Sequence, residues 1–219
     1  MSTTVKICGL STPETMEAAL KAGADMVGLV FFEKSPRHVT LDTAKALAAR
    51  ASQRAEVVAL TVDPDDAALD AIVRALAPEY LQLHGRETPE RVDEIQRKFG
   101  VSAIKALGVA EAADVLAADA YKGADALLID AKPPKGAVLP GGNGVAFDWR
   151  LARGFAPRKP WMLSGGLDAG NVAQAIRLSL ARSVDVSSGV ESAPGVKDAA
   201  KIRAFIDAAR AAFEATDAE

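Results

Sequence analysis

The 219-residue sequence predicts an α/β protein built as a single-domain (β/α)8 barrel spanning residues 1–219. Three observations lead there. Eight short aliphatic runs alternate with alanine-rich amphipathic stretches, which calls for a parallel sheet with helical crossovers. The repeat is close enough to fit eight such units into the chain, a number that closes into a ring. The first run leads into CGLSTP (8–13). That is not the glycine fingerprint with which an open, dinucleotide-binding sheet announces itself.

In chain order the expected strands are VKIC (5–8), MVGLVF (26–31), EVVALTV (56–62) and YLQLH (80–84). SAIKAL (102–107), ALLID (126–130), WMLSG (161–165) and SVDVSS (183–188) complete the set. Each is a run of β-branched or aliphatic residues bounded by Gly, Pro or polar residues. The expected helices are 13–23, 41–50, 64–77, 88–100, 111–122, 171–180 and 196–213, with FDWRLAR (147–153) a shorter sixth in the order.

Composition narrows the function. With 26 Lys and Arg against 29 Asp and Glu the net charge is −3, and a pI near 5.5 does not suit a nucleic-acid partner. The single cysteine, Cys8, excludes an internal disulfide and fits a reducing compartment. Neither a signal-peptide core nor a membrane-length apolar run is present, so a cytoplasmic, stand-alone protein with no membrane partner is expected. Two histidines and one cysteine give no metal-ligand spacing. No GxSxG nucleophile elbow occurs either. What remains is acid–base chemistry without metal or cofactor.

Chemistry in such a barrel sits at the carboxyl ends of the strands. Those ends carry Cys8, His84, Asp130, Ser164 with Gly165 and Gly166, and Asp185 with Ser187 and Ser188. Alternation along a strand turns Lys6 and Cys8 inward together, as it does Gln82 with His84 and Asp185 with Ser187. Lys6 thereby places a cation beside the thiol and joins the residues expected to contact a ligand. Plainer roles stay open: Cys8 as a small buried hydrophobe, His84 as a partner to a carbonyl, Arg37 as a solvated loop residue. A helix cap is a poor reading of Asp130, because the loop that follows, AKPPKGAVLPGGNG (131–144), does not begin a helix. SGGL (164–167) and SSGVE (187–191) each follow a strand, and adjacent glycine loops there suit a terminal phosphate. The long loop with PGGNG (140–144) is either a lid over the site or a plain surface connection.

KICGL (6–10), GLVFFEKSPRHV (28–39), LQLHG (81–85), LLID (127–130), GGNGVAFDW (141–149), LSGGL (163–167), DVSSGVE (185–191) and PGVKD (194–198) together resemble the phosphoribosylanthranilate isomerases of tryptophan biosynthesis. The likeness runs along essentially the whole chain, with Asn143 where the family's lid motif has Thr or Ser. It implies a cofactor-free Amadori rearrangement of N-(5′-phosphoribosyl)anthranilate. Asp130 would be the general acid and Cys8 the general base. Arg37 would bind the anthranilate carboxylate, with His84 and Asp185 near the sugar. Gly165, Gly166, Ser188 and Gly189 would hold the phosphate. The thiol pKa is expected below its ordinary value and that of Asp130 above, and the assembly to be a monomer or homodimer. A histidine-pathway aminoaldose isomerase is a weaker fit. It would want an aspartate in place of Cys8 and a phosphate loop where VDPDD (62–66) stands. A non-catalytic phosphosugar-binding barrel leaves the Cys8–Asp130 pairing without a purpose.

Overall fold

A computed structural model describes residues 3–133, 136–137, 139–142, 144, 146–153 and 159–217. Eight parallel strands close on themselves in sequence order: β1 (Thr4–Cys8), β2 (Met26–Phe31), β3 (Glu56–Thr61), β4 (Tyr80–Leu83), β5 (Ser102–Val109), β6 (Ala126–Ala131), β7 (Trp161–Leu163) and β8 (Ser183–Val186). Closure is made by β1 on β8, with Lys6 opposite Asp185 and Ile7 opposite Val186. The ring is therefore the expected (β/α)8 barrel.

Several helices begin where a side chain caps them. Thr12 accepts from the Thr15 N–H ahead of α1 (Pro13–Ala22), and Pro13 loses nothing at a first turn that has no partner for its nitrogen. Thr40 does the same for α2 (Leu41–Ala51). Asp65 delays α3 (Asp66–Leu76) by two residues relative to the sequence reading, and Thr88 opens α4 (Pro89–Phe99). The stretch 111–122 is not one helix. It is a short α5 (Ala112–Leu116) running into a 3₁₀ turn at Ala117–Ala120.

Two further boundaries correct the sequence reading. The sixth helix is one 3₁₀ turn, Trp149–Ala152, opened by the Asp148 carboxylate. After α6 (Val172–Ser179) and β8, residues 196–198 are not helical. Val196–Lys197 forms a short strand, β10, antiparallel to β9 (Glu191–Ala193). α7 (Ala199–Asp217) starts only after Asp198 takes the N–H groups of Ala200 and Lys201. Alternation alone does not reveal this hairpin, yet it carries two charged residues to the site.

Side chains at alternate strand positions fill the ring. Met26, Val58, Ile104, Ala106, Leu128 and Met162 form its lower layer, and Cys8, Val30 and Leu60 the layer above. The opposite faces of the strands pack on the helices, with Val5, Ile7, Leu29, Val184, Phe205 and Ile206 fully or almost fully buried there. The upper interior layer is the floor of a cleft.

Candidate active site

A cleft opens at the carboxyl ends of the strands, with about 790 Å³ of space between its walls and across its open mouth. Cys8, Arg37, His84, Asp130, Gly165, Gly166, Asp185 and Ser188 all line it. β4, β7 and β8 end sooner than the sequence reading has them, so His84, Ser164, Gly165, Ser187 and Ser188 lie beyond the strands, above the ring. Cys8 closes β1 and Asp130 lies in β6, three strands apart around the barrel.

Two of the expected contact residues, Lys6 and Gly189, do not line the cleft. Lys6 has no exposed surface, and its ammonium donates to Asp185 Oδ1 at 2.7 Å beneath the cleft floor. It supports the site from below rather than reaching a ligand. Gly189 is not on the cleft wall either. It lies where the two glycine loops meet, and a methyl group there would overlap the Leu167 carbonyl oxygen. Among the described residues, the N–H groups of Gly165, Gly166, Ser188 and Gly189 make no hydrogen bond. Such free donors are what an anion would use. Gly189→Ala is therefore expected to push the loops apart, destabilising the fold by ~1–3 kcal/mol through overpacking. Denaturant unfolding checks the stability, and a raised KM for a phosphorylated substrate the loss of binding.

Asp130 is buried. Its Oδ1 accepts from the Ala131 N–H at 2.8 Å, and its Oδ2 lies 3.3 Å from His84 Nε2. His84 Nδ1 lies 2.9 Å from the Gln82 amide nitrogen. Leu139, Pro140, Gly141, Gly142 and Gly144 of the long loop line the same cleft. At Gly141 a Cβ would come within 2.5 Å of His84 Nε2 and 2.7 Å of Asp130 Oδ2, so only glycine allows that approach. Asn143 lies outside the described residues.

Arg37 is held more firmly than a solvated loop residue. Its Nε and Nη2 donate to the two oxygens of Glu191 at 2.7 and 2.8 Å, and Nη2 also reaches the Gly142 carbonyl at 3.4 Å. One edge of the guanidinium is thus occupied. Glu191 in turn accepts from Lys197 Nζ at 2.7 Å, and Lys197 donates to the Ser187 carbonyl and hydroxyl. Burial alone would raise the Glu191 pKa, but Arg37 and Lys197 hold it below its ordinary value. Sequence reasoning missed Glu191 and Lys197 as site residues. The signal was present in charged residues just past a glycine loop, but 196–198 read as the start of a helix.

The Cys8 thiol departs from expectation. Burial is the largest influence and pushes its pKa above the ordinary thiol value. Lys6 and Lys197 pull it down, and Asp185 adds to the rise. The nearby cations are where the sequence put one of them, but desolvation outweighs them.

The family model for N-(5′-phosphoribosyl)anthranilate isomerase matches residues 5–208. The chain belongs to that family. Among curated relatives, the N-(5′-phosphoribosyl)anthranilate isomerase of Rhodopseudomonas palustris strain HaA2 is 58% identical over 215 residues, covering 98% of this chain and 99% of its own. That of Parvibaculum lavamentivorans is 55% identical over 215 residues, covering 97% of this chain and all of its own. The solved phosphoribosyl anthranilate isomerase of Thermotoga maritima superposes with a TM-score of 0.84 at 33% identity, across 96% of this chain and 100% of that one. A phosphoribosyl anthranilate isomerase solved with reduced 1-(o-carboxyphenylamino)-1-deoxyribulose 5-phosphate gives 0.82 at 31% identity over the same shares. Another form of the T. maritima protein was solved as monomers generated from a dimer. Among the described residues of this chain, no helix is long and apolar enough to cross a membrane.

Proposed function

We propose that this chain converts N-(5′-phosphoribosyl)anthranilate to 1-(2-carboxyphenylamino)-1-deoxyribulose 5-phosphate, with Asp130 as general acid and Cys8 as general base. The observation that carries the assignment is that a buried carboxyl and a buried thiol face one cleft from strands far apart in the ring. A substrate between them meets a proton donor on one side and an acceptor on the other. The relative that holds the reduced product analogue supports the choice of substrate.

In the reaction, Asp130 protonates the furanose ring oxygen, the C1′–O bond breaks, and the anilino nitrogen's lone pair forms the C1′=N iminium. The Cys8 thiolate then removes the C2′ proton, and the C2′–H electrons move to give the enolamine. Tautomerisation to the ketone completes the rearrangement. A thiol whose pKa is raised by burial is less often ionised, but its thiolate binds a proton more strongly. That is the property needed to take one from carbon. Lys6 and Lys197 limit how far ionisation is suppressed. The end of the Arg37 guanidinium away from Glu191 meets the anthranilate carboxylate. The free N–H groups of the two glycine loops take the 5′-phosphate, and the loop over the cleft keeps water out. His84 and Asp185 stand beside the sugar, and Lys6 fixes Asp185. No cofactor has a part, and the active unit is a monomer or a homodimer.

Freshly prepared substrate, followed by the loss of its fluorescence, tests the reading. Rapid conversion by the wild type is expected, with a loss of at least ~100-fold in Cys8→Ala. Because the base works as thiolate, kcat/KM should climb as pH rises toward the raised thiol pKa. Binding without conversion by the wild type would turn the proposal into a phosphosugar-binding barrel. Near-normal turnover by Cys8→Ala would remove the thiol from its role.

A further inference from the structure

Gln82 is fully buried in β4, two residues before His84 and on the same face. Its amide nitrogen lies 2.9 Å from His84 Nδ1, and its Oε1 is buried with no hydrogen-bond partner among the described residues. An amide nitrogen only donates, so Nδ1 must accept. Neutral His84 then carries its proton on Nε2 and points it at Asp130 Oδ2, 3.3 Å away. That arrangement suits an ionised Asp130. A protonated Asp130 needs the reverse: its O–H donates to Nε2, the imidazole proton moves to Nδ1, and an acceptor must face Nδ1. Turning the Gln82 amide by 180° supplies that acceptor. The two ends of an amide are nearly the same size, and one end has no partner in either orientation, so the turn sacrifices no hydrogen bond.

We propose that Gln82 is a positioning residue whose amide orientation sets the proton on His84 and, through it, the protonation state of Asp130. The role rests on Asp130 being the acid. Proton uptake at Asp130, a shift of the imidazole proton from Nε2 to Nδ1, and rotation of the amide form one coupled change with two matched states. The other titratable or charged groups lining the same cleft are Cys8 from β1, Arg37 from the loop after β2, Asp185 from β8 and Lys132 from the loop after β6. The Lys132 ammonium is paired with Asp114 at 2.9 Å.

Asp130→Asn makes the proposal testable without turnover. The Ala131 N–H pins the new amide's oxygen, so its NH2 faces His84 Nε2 as the O–H of a protonated acid does. The chain has two histidines, and His38→Asn assigns their signals. Two-bond ¹⁵N–¹H NMR of the ligand-free protein should show the Nε2–H tautomer of His84 in the wild type above neutral pH. Asp130→Asn should show the Nδ1–H tautomer, and adding Gln82→Met should abolish that switch. Gln82→Met alone should lower kcat about tenfold with KM little changed. It should also move the descending limb of the pH profile about one unit lower, because the protonated acid loses its support. Gln82→Leu repeats the measurement should the methionine variant not fold. One tautomer shared by wild type and Asp130→Asn, or an unmoved limb in Gln82→Met, overturns the proposal. Normal turnover by Asp130→Asn removes the acid reading instead, and the tautomer measurement still decides whether Gln82 governs His84.

Discussion

Asp130→Asn is expected to lower kcat by ~10²–10⁴-fold while leaving the fold in place. The asparagine keeps the shape of the side chain and the acceptor for the Ala131 N–H at 2.8 Å. In the proposed role it loses the ability to hand a proton to the ring oxygen, so the furanose should open only as fast as the bound environment allows. The groups proposed to hold the phosphate and the carboxylate lie on other loops, so KM should change little and kcat/KM should fall with kcat. Thermal unfolding within ~1 kcal/mol of wild type would separate this loss from collapse of the site. A parallel fall in binding and stability would instead make Asp130 a structural residue, held in place by Ala131 and His84 and doing no chemistry. With Cys8→Ala, the variant also resolves the order of events. In the proposed mechanism ring opening precedes proton removal, so trapped open-chain imine should build up only in the cysteine variant.

The barrel was legible because alternation and amphipathicity are local properties, and all eight strands appear where the aliphatic runs lie. The inward direction of Lys6, Gln82 and Asp185 followed from the same two-residue period, and all three are buried. The strand-end residues were legible for a similar reason, since the ring gathers every strand end at one mouth. The sequence hid what depends on distant partners. Arg37 looked like a loop residue because Glu191, which orders it, is 154 positions away. Lys197 looked helical because the Asp198 cap and the pairing with β9 appear only once β8 is in place. The thiol pKa was misjudged because a cation two residues away can be read from a string of letters, whereas the depth of burial that outweighs it cannot. Gly189 was placed on the phosphate by the family resemblance. Its more direct constraint is the Leu167 carbonyl pressed against it.

Lys6→Met is expected to have the largest effect on stability, about 3–5 kcal/mol, because it strands a buried carboxylate. Lys6 and Asp185 meet at 2.7 Å with side chains 0% and 6% exposed, so neither can turn to water if the other is removed. Asp185 keeps one further partner, the Ser164 hydroxyl at 3.0 Å, which does not balance a charge. For a chain of this length the loss corresponds to a fall in Tm on the order of 10 °C. Burial opposes the Lys6 charge, yet Asp185 and Cys8 together hold its pKa above the ordinary lysine value. A folded-state pKa raised above the unfolded one favours the fold below the unfolded value, and the benefit fades as pH climbs through the folded value. At neutral pH the whole contribution is therefore present, and the variant should show its full deficit. Pairing the change with Asp185→Asn should recover part of the stability, since the stranded charge is then gone. Activity should not recover with it. Lys6 is one of the two cations that restrain the rise in the Cys8 pKa. Without it the ascending limb of kcat/KM should shift to higher pH, further in the single variant than in the double, where the Asp185 charge that adds to the rise is also gone. Recovery of both stability and the wild-type pH profile in the double variant would show that Lys6 serves only to neutralise Asp185.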